Sequence, residues 1–183
     1  MFAKRCVLAL AIAILPTAAK SAADQVFFGY LNGANESPNP VPSPGTGFAL
    51  VTYAPDTVMM RVQVSFAGLT SGTTASHIHC CFSPPTTTTA AVATTLPTFT
   101  GFPLGVTAGT YDHTFDMTLA SSYNPAFVTA QGSIGAALAA LLAGMTNSTA
   151  YFNIHTMNFS AGEIRANMKP DAVFGNGFEQ VAG

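Results

Sequence analysis

A nine-residue segment in the first half of the chain repeats with a period of two. One set of alternate side chains is Val58, Met60, Val62, Val64 and Phe66, and the other is Met59, Arg61, Gln63 and Ser65. Alternation of this kind is typical of a β-strand with one buried face. A strand buried on one side needs partner strands and a second layer that covers it. The segment therefore limits the chain to folds built on a β-sheet.

Other short strands are predicted on both sides of this segment. They cover residues 25–31, 47–53, 76–80, 109–119, 150–156 and 162–168, and segments rich in Pro, Gly and Asn separate several of them. The last two are expected to form a hairpin around residues 157–161, and residues 81–108 are expected to be irregular. The series predicts an all-β fold, either an antiparallel β-sandwich or a Greek-key barrel.

One segment has helical composition. Residues 134–143 are rich in Ala and Leu, contain no β-branched residue after Ile134, and end at Gly144. The residue types favour a helix, and glycine is a common residue at a helix end. We predict one short helix near residues 134–143.

The N-terminus has the pattern of a secretory signal peptide. Lys4 and Arg5 precede the apolar run 7–15, and small residues follow it up to Ala23. This arrangement predicts a signal peptide at 1–23, a β domain at 24–169 and a flexible tail at 170–183. The run is too short to span a bilayer, so no membrane span is expected after cleavage. The expected location is secreted, periplasmic or cell-surface.

Charge excludes one class of partner. The chain has six basic and eight acidic residues, and a cleaved signal peptide would remove Lys4, Arg5 and Lys20. The three remaining cations cannot form a basic surface for phosphates, so a nucleic-acid partner is not expected. An extracellular or periplasmic protein or ligand is the expected partner.

Three histidines are candidate metal ligands. His77 and His79 are two residues apart in a predicted strand, so their side chains project to the same side. If the later strand carrying His155 lies alongside, three imidazoles reach the outer side of the sheet, a set that suits copper or zinc. Ordinary hydrogen bonds to loops are the alternative. His113 shares a face with apolar residues and is expected at the edge of the core.

Other side chains are candidate supports for such a site. Glu163, Arg165 and Asn153 are expected to orient the histidines or, for the first two, to form a surface ion pair. Cys80 and Cys81 leave three alternatives open: a vicinal disulfide, one thiolate joining a soft metal, or two diverging side chains. Catalytic nucleophile motifs are lacking in the sequence, which favours a non-enzymatic function.

Four segments together resemble the CHRD domain, the module named after chordin. They are Leu31–Glu36 (LNGANE), His77–His79 (HIH), Tyr151–Thr156 (YFNIHT) and Gly162–Arg165 (GEIR). The cysteine pair after HIH also resembles a bacterial branch of this family, while Ala166 departs from its usual glycine.

The resemblance implies a β-rich extracellular module without an established activity. An exported binding or structural module is therefore the first hypothesis. The alternative is a copper or zinc protein that uses His77, His79 and His155 as a carrier site, a structural site or a superoxide-dismutase-like centre. A dinuclear copper–zinc enzyme would need more histidines than the four in the chain, which argues against the last of these.

Overall fold

The computed structural model describes residues 21–86 and 88–171. Within them, eight strands form one antiparallel sheet that curls into a half-barrel. The strands are β1 (Gln25–Asn32), β2 (Thr46–Ala54), β3 (Met59–Ala67), β4 (Thr73–His79), β5 (Gly109–Asp116), β6 (Tyr151–Thr156), β7 (Ile164–Asn167) and β8 (Lys169–Pro170). The all-β prediction is confirmed. Most of the predicted signal peptide and of the predicted tail lies outside the described residues.

The order of strands across the sheet is β4-β6-β7-β1-β2-β3-β5, and β8 pairs with β1. The predicted hairpin is present, because β6 and β7 pair antiparallel with Ile154 opposite Ile164. The strand order also makes β4, which carries His77 and His79, the direct neighbour of β6, which carries His155.

The period of two predicts the buried face of β3 correctly. Met60, Val62, Val64 and Phe66 are all buried, while Arg61 and Ser65 are exposed. The strand begins one residue later than predicted, because Val58 has a φ of 56° and belongs to the preceding turn. A left-handed backbone is uncommon for a β-branched residue. On β5, His113 is half-buried beside the core, as predicted.

The predicted helix is present and slightly longer than expected. It is α2 (Ile134–Thr146), and the side chain of Ser133 accepts a hydrogen bond from the Ala136 amide at its start. A helix that we did not predict, α1 (Pro125–Gln131), precedes it. Asn124 caps α1 and Pro125 is its first residue, a combination that marks helix starts and that the sequence therefore contained.

In the described part of the chain, no single helix has the length and apolar character needed to cross a membrane. The two helices meet at a bend of 94° and reach that length and composition only when they are taken together.

Candidate metal centre

Two antiparallel strands bring the three histidines to one side of the sheet. β4 pairs with β6 so that His77 lies opposite Asn153 and Ala75 lies opposite His155. Because side chains alternate along a strand, His77, His79 and His155 share the face that points away from the apolar core. The sequence could not show that these strands are neighbours, and this pairing assembles the cluster.

The outer face of the sheet, which carries the histidines, is covered by a loop. His77 is 5% exposed and His79 is 9% exposed, while His155 is half-buried. The irregular segment after β4 folds over the rings and places the carbonyl groups of Ala90 and Pro97 against them. The cluster is therefore an enclosed site.

Each imidazole is oriented by one backbone carbonyl. The bonds join His77 Nε2 to Pro97 at 2.7 Å, His79 Nδ1 to Ala90 at 2.9 Å and His155 Nδ1 to Ser160 at 2.9 Å. A carbonyl oxygen only accepts hydrogen bonds, so the bonded nitrogen donates its proton and the other nitrogen presents a lone pair. These carbonyls supply the ring orientation that we had expected from side chains.

The second nitrogen of each ring lacks a partner among the described residues. These atoms are His77 Nδ1, His79 Nε2 and His155 Nε2, and all three are buried. One ring nitrogen from each histidine lies within 4.8 Å of the other two. Buried polar atoms are rarely left unpaired in native proteins, because each one costs free energy. Three such atoms lie in this one cluster, so its histidines have unused capacity to bind a ligand.

Burial keeps the cluster neutral. It lowers the pKa of His77 and of His79 to about 4, against the opposing effect of the hydrogen bonds to Pro97 and Ala90. The positive charge that a neighbouring histidine would carry lowers both values further. Burial also lowers the pKa of His155. At neutral pH all three imidazoles are therefore in the neutral form that binds metal ions.

The ring spacing is close to that of a metal site. Ring centroids are 5.4 Å apart for His77 and His155, and 5.8 Å apart for the other two pairs. Metal–nitrogen bonds of about 2.0–2.1 Å place ligating nitrogens about 3.3–3.6 Å from each other. In the structure one nitrogen of each ring lies within 4.8 Å of the others, a range that includes this spacing.

Glu163, which we expected to orient the histidines, is hydrogen-bonded to other residues. It is fully buried, and its carboxylate accepts hydrogen bonds from Ser43 Oγ at 2.6 Å, the Thr70 amide at 2.7 Å and Thr156 Oγ1 at 2.6 Å. Among the described residues it forms no hydrogen bond to a histidine. Its contact nearest to the cluster is Thr156, the residue that follows His155 on β6.

Arg165 also acts through another residue. Its guanidinium carbon lies 3.5 Å from the centroid of the Tyr151 ring. The same ring also stacks on His79, at a centroid distance of 4.6 Å and an interplanar angle of 7°. Arg165 also donates to the Thr88 carbonyl at 2.7 Å. It thus holds the ring on which His79 packs.

Asn153 is hydrogen-bonded to Glu36, an acidic residue that we did not predict as part of the site. Its side-chain amide donates to both carboxylate oxygens of Glu36, at 3.0 and 3.2 Å. Burial raises the pKa of Glu36 to about 7, and the positive charge of Arg165 opposes this shift. Glu36 is the acidic residue of the LNGANE segment, so its place in a family motif was the signal that could have identified it.

The two cysteines form a disulfide in the structure. Cys80 is buried and Cys81 is exposed, and both sulfur atoms lie against the carbonyl of Ala140 on α2, at 3.6 and 3.4 Å. Cysteine binds a metal ion as the thiolate, which a disulfide does not offer. In this state the pair is separate from the histidine cluster.

Comparison with known proteins identifies the family. The model of the CHRD domain matches residues 27–168, a span that includes most of β1, all of β2 to β7, the three clustered histidines and Glu36. The chain matches no curated protein and no solved structure. Because the family model covers well over half of the sequence, the chain belongs to the CHRD domain family.

Proposed function

We propose that this protein is an exported, non-enzymatic binding module that holds one copper or zinc ion between His77, His79 and His155. Membership of the CHRD domain family supports a structural or binding module. The metal site is the more specific hypothesis, and the unpaired ring nitrogens carry it.

The donor set limits the kind of ligand. Three neutral imidazoles offer three lone pairs and no negative charge. Donors of this type suit copper and zinc, whereas calcium and magnesium require oxygen ligands. A hydrogen-bond donor would pair with the lone pairs of one or two rings, whereas one metal ion binds all three lone pairs at once.

Coordination number and charge favour monovalent copper. Among the described residues no fourth His, Cys, Asp or Glu joins the cluster, and structural zinc sites almost always have four ligands. The ring nitrogens are buried and the guanidinium of Arg165 is nearby, beyond Tyr151. A monovalent ion costs less to bury in such surroundings than a divalent one.

Enclosure argues against turnover. A catalytic metal has a position that water or substrate can reach, whereas the free nitrogens of this cluster are buried away from solvent. The geometry thus supports storage, transfer or a structural site. Export is supported by the signal-like N-terminus and by the disulfide, since disulfides persist in oxidising compartments.

Metal analysis of the purified protein tests the proposal. We expect close to one equivalent of copper or zinc per chain, measured by elemental analysis after incubation with Cu(I) or Zn(II) and removal of free ions. The double variant His77→Ala/His79→Ala should bind neither ion. Competition with chelators selective for each ion should show the stronger retention for Cu(I).

The fourth histidine provides a matched control. His113 is half-buried on β5, and its ring lies against Tyr111 and Phe115 instead of in the cluster. His113→Ala should therefore bind the metal like the unaltered protein. A folded protein that takes up neither ion, or one whose metal survives loss of both His77 and His79, would contradict the proposal.

A further inference from the structure

A second concave site lies beside β1 and shares no residue with the histidine cluster. It is a groove of about 330 Å³. Its side chains include two aromatic rings, three amides and one ammonium group: Phe28, Tyr30, Asn32, Asn35, Asn167 and Lys169.

The aromatic wall of the groove is open to solvent but held in place. Tyr30 is 68% exposed, an unusual fraction for a large aromatic residue. Its ring lies 5.1 Å from that of Phe48 and 6.1 Å from that of Phe28, measured between centroids. The ring is therefore supported by its neighbours on β1 and β2, while much of Tyr30 remains available to a ligand.

The amides of the groove present mainly donors. The side-chain oxygen of Asn32 accepts a hydrogen bond from the backbone amide of Asn35 at 2.9 Å. The side-chain oxygen of Asn167 accepts one from the Arg165 guanidinium at 3.2 Å. Among the described residues, the NH2 groups of Asn32 and Asn167 form no hydrogen bond, so both can donate to a ligand. Asn35 uses its own NH2 group on the carbonyls of Tyr30 and Arg165, both at 3.1 Å, and so leaves its side-chain oxygen as an acceptor.

The groove carries the positive charge of Lys169. Lys169 is exposed at the groove, and none of the described residues that line the groove carries a carboxylate. The site thus combines an aromatic platform, two free amide donors, one acceptor and one positive charge. A matching ligand has an apolar face, several oxygen acceptors and one negative charge per unit.

We propose that this groove binds a polysaccharide containing uronic acid. The C–H face of a pyranose ring packs on the Tyr30 ring, hydroxyl groups meet the amides of Asn32 and Asn167, and the carboxylate meets Lys169. The net negative charge of the chain opposes nonspecific adsorption of polyanions. Binding thus depends on the groove itself.

Titration calorimetry of the purified protein tests this proposal with a hexamer of galacturonic acid as the probe. A glucose hexamer serves as the neutral comparison. We expect the uronate to bind more tightly than the neutral sugar. Tyr30→Ala should weaken binding of the uronate by at least about tenfold, since it removes the aromatic platform. Lys169→Met should remove most of the preference for the uronate.

Tyr30→Phe keeps the ring and should keep most of the affinity. Thr114→Ala, an exposed change on β5 away from the groove, should have no effect. Thermal unfolding of each variant shows that it remains folded. The proposal is overturned if the uronate hexamer does not bind, if Tyr30→Ala leaves its binding intact, or if Lys169→Met leaves the preference for uronate unchanged.

Discussion

The phenol ring of Tyr151 lies parallel to the imidazole of His79, with centroids 4.6 Å apart and planes inclined by 7°. Both side chains also bond to one carbonyl, because His79 Nδ1 lies 2.9 Å from the Ala90 oxygen and the Tyr151 hydroxyl donates to it at 3.1 Å. Tyr151 therefore fixes the plane of His79 directly and also the carbonyl that selects its tautomer.

Variants of Tyr151 should separate these two effects. Tyr151→Phe keeps the stacked ring and loses the hydroxyl, so we expect metal affinity within about threefold of the unaltered protein. Tyr151→Leu removes the stacking and frees the imidazole, and should lower metal affinity by about tenfold or more, as loss of an orienting group does at metal sites. Competition with a chelator measures both. Equal affinity for the two variants would show that His79 is held by its carbonyl bond alone.

Glu36 should make stability depend on pH. Burial raises its pKa from 4.5 to about 7 in the folded protein. Its contribution to stability is therefore fully present below pH 4.5 and is lost as the pH rises through 7. Glu36→Gln keeps the shape of the side chain but cannot ionise. Between pH 4 and pH 8 the unaltered protein should lose about 2 kcal/mol of unfolding free energy that the variant keeps.

Denaturant unfolding at pH 4, 6 and 8 measures this difference. Comparison at equal pH cancels the contributions of the buried histidines, which are the same in both proteins. A constant difference across the range would show that Glu36 titrates normally in the folded state.

The positive charge of Arg165 should lower the pKa of Glu36, and its planar guanidinium should hold the Tyr151 ring in place. Its positive charge opposes the raised pKa of Glu36, so Arg165→Met should move the pKa of that carboxyl higher still. Arg165→Lys keeps the charge and should leave the Glu36 pKa nearly unchanged. Both variants lose the planar contact with Tyr151 and the bond to Thr88, at a cost of about 1–3 kcal/mol.

The pH profile of unfolding distinguishes the two variants. Coincident profiles for Arg165→Met and Arg165→Lys would show that the charge of Arg165 does not reach Glu36.

Local pattern was sufficient to predict much of the fold. The period of two around Val62 predicts which face of β3 is buried, and the Ala- and Leu-rich run predicts α2. Both predictions succeed because each depends only on residues that are neighbours in the sequence. The helix α1 was missed although Asn124 and Pro125 mark its start, since its seven residues show too short a pattern to stand out.

The candidate site was predicted only in part. The spacing of His77 and His79 shows that they share a face, but their meeting with His155 depends on pairing between strands more than seventy residues apart. The orienting carbonyls lie in two separate loops whose positions are set by tertiary packing, so no side-chain pattern indicates them. The raised pKa of Glu36 depends on burial, which a loop sequence does not reveal.

The disulfide and Gly144 of α2 should form one packing unit. A Cβ atom at position 144 would lie 2.7 Å from the Cys81 sulfur and closer still to that of Cys80. Gly144 and Cys80 are both buried, so the added methyl group has little free space between them. Gly144→Ala should therefore lower the free energy of unfolding by about 1–3 kcal/mol, the usual cost of overpacking, although alanine is the better helix former.

The same substitution in a chain that carries Cys80→Ala and Cys81→Ala tests the cause. Removal of both sulfur atoms leaves room for the new methyl group, so the cost of Gly144→Ala should fall by more than half in that background. A double-mutant cycle of unfolding free energies gives the coupling between the two sites. If the cost is the same in both backgrounds, the clash is with another neighbour such as Ala150, whose Cβ would lie 3.3 Å from the added atom.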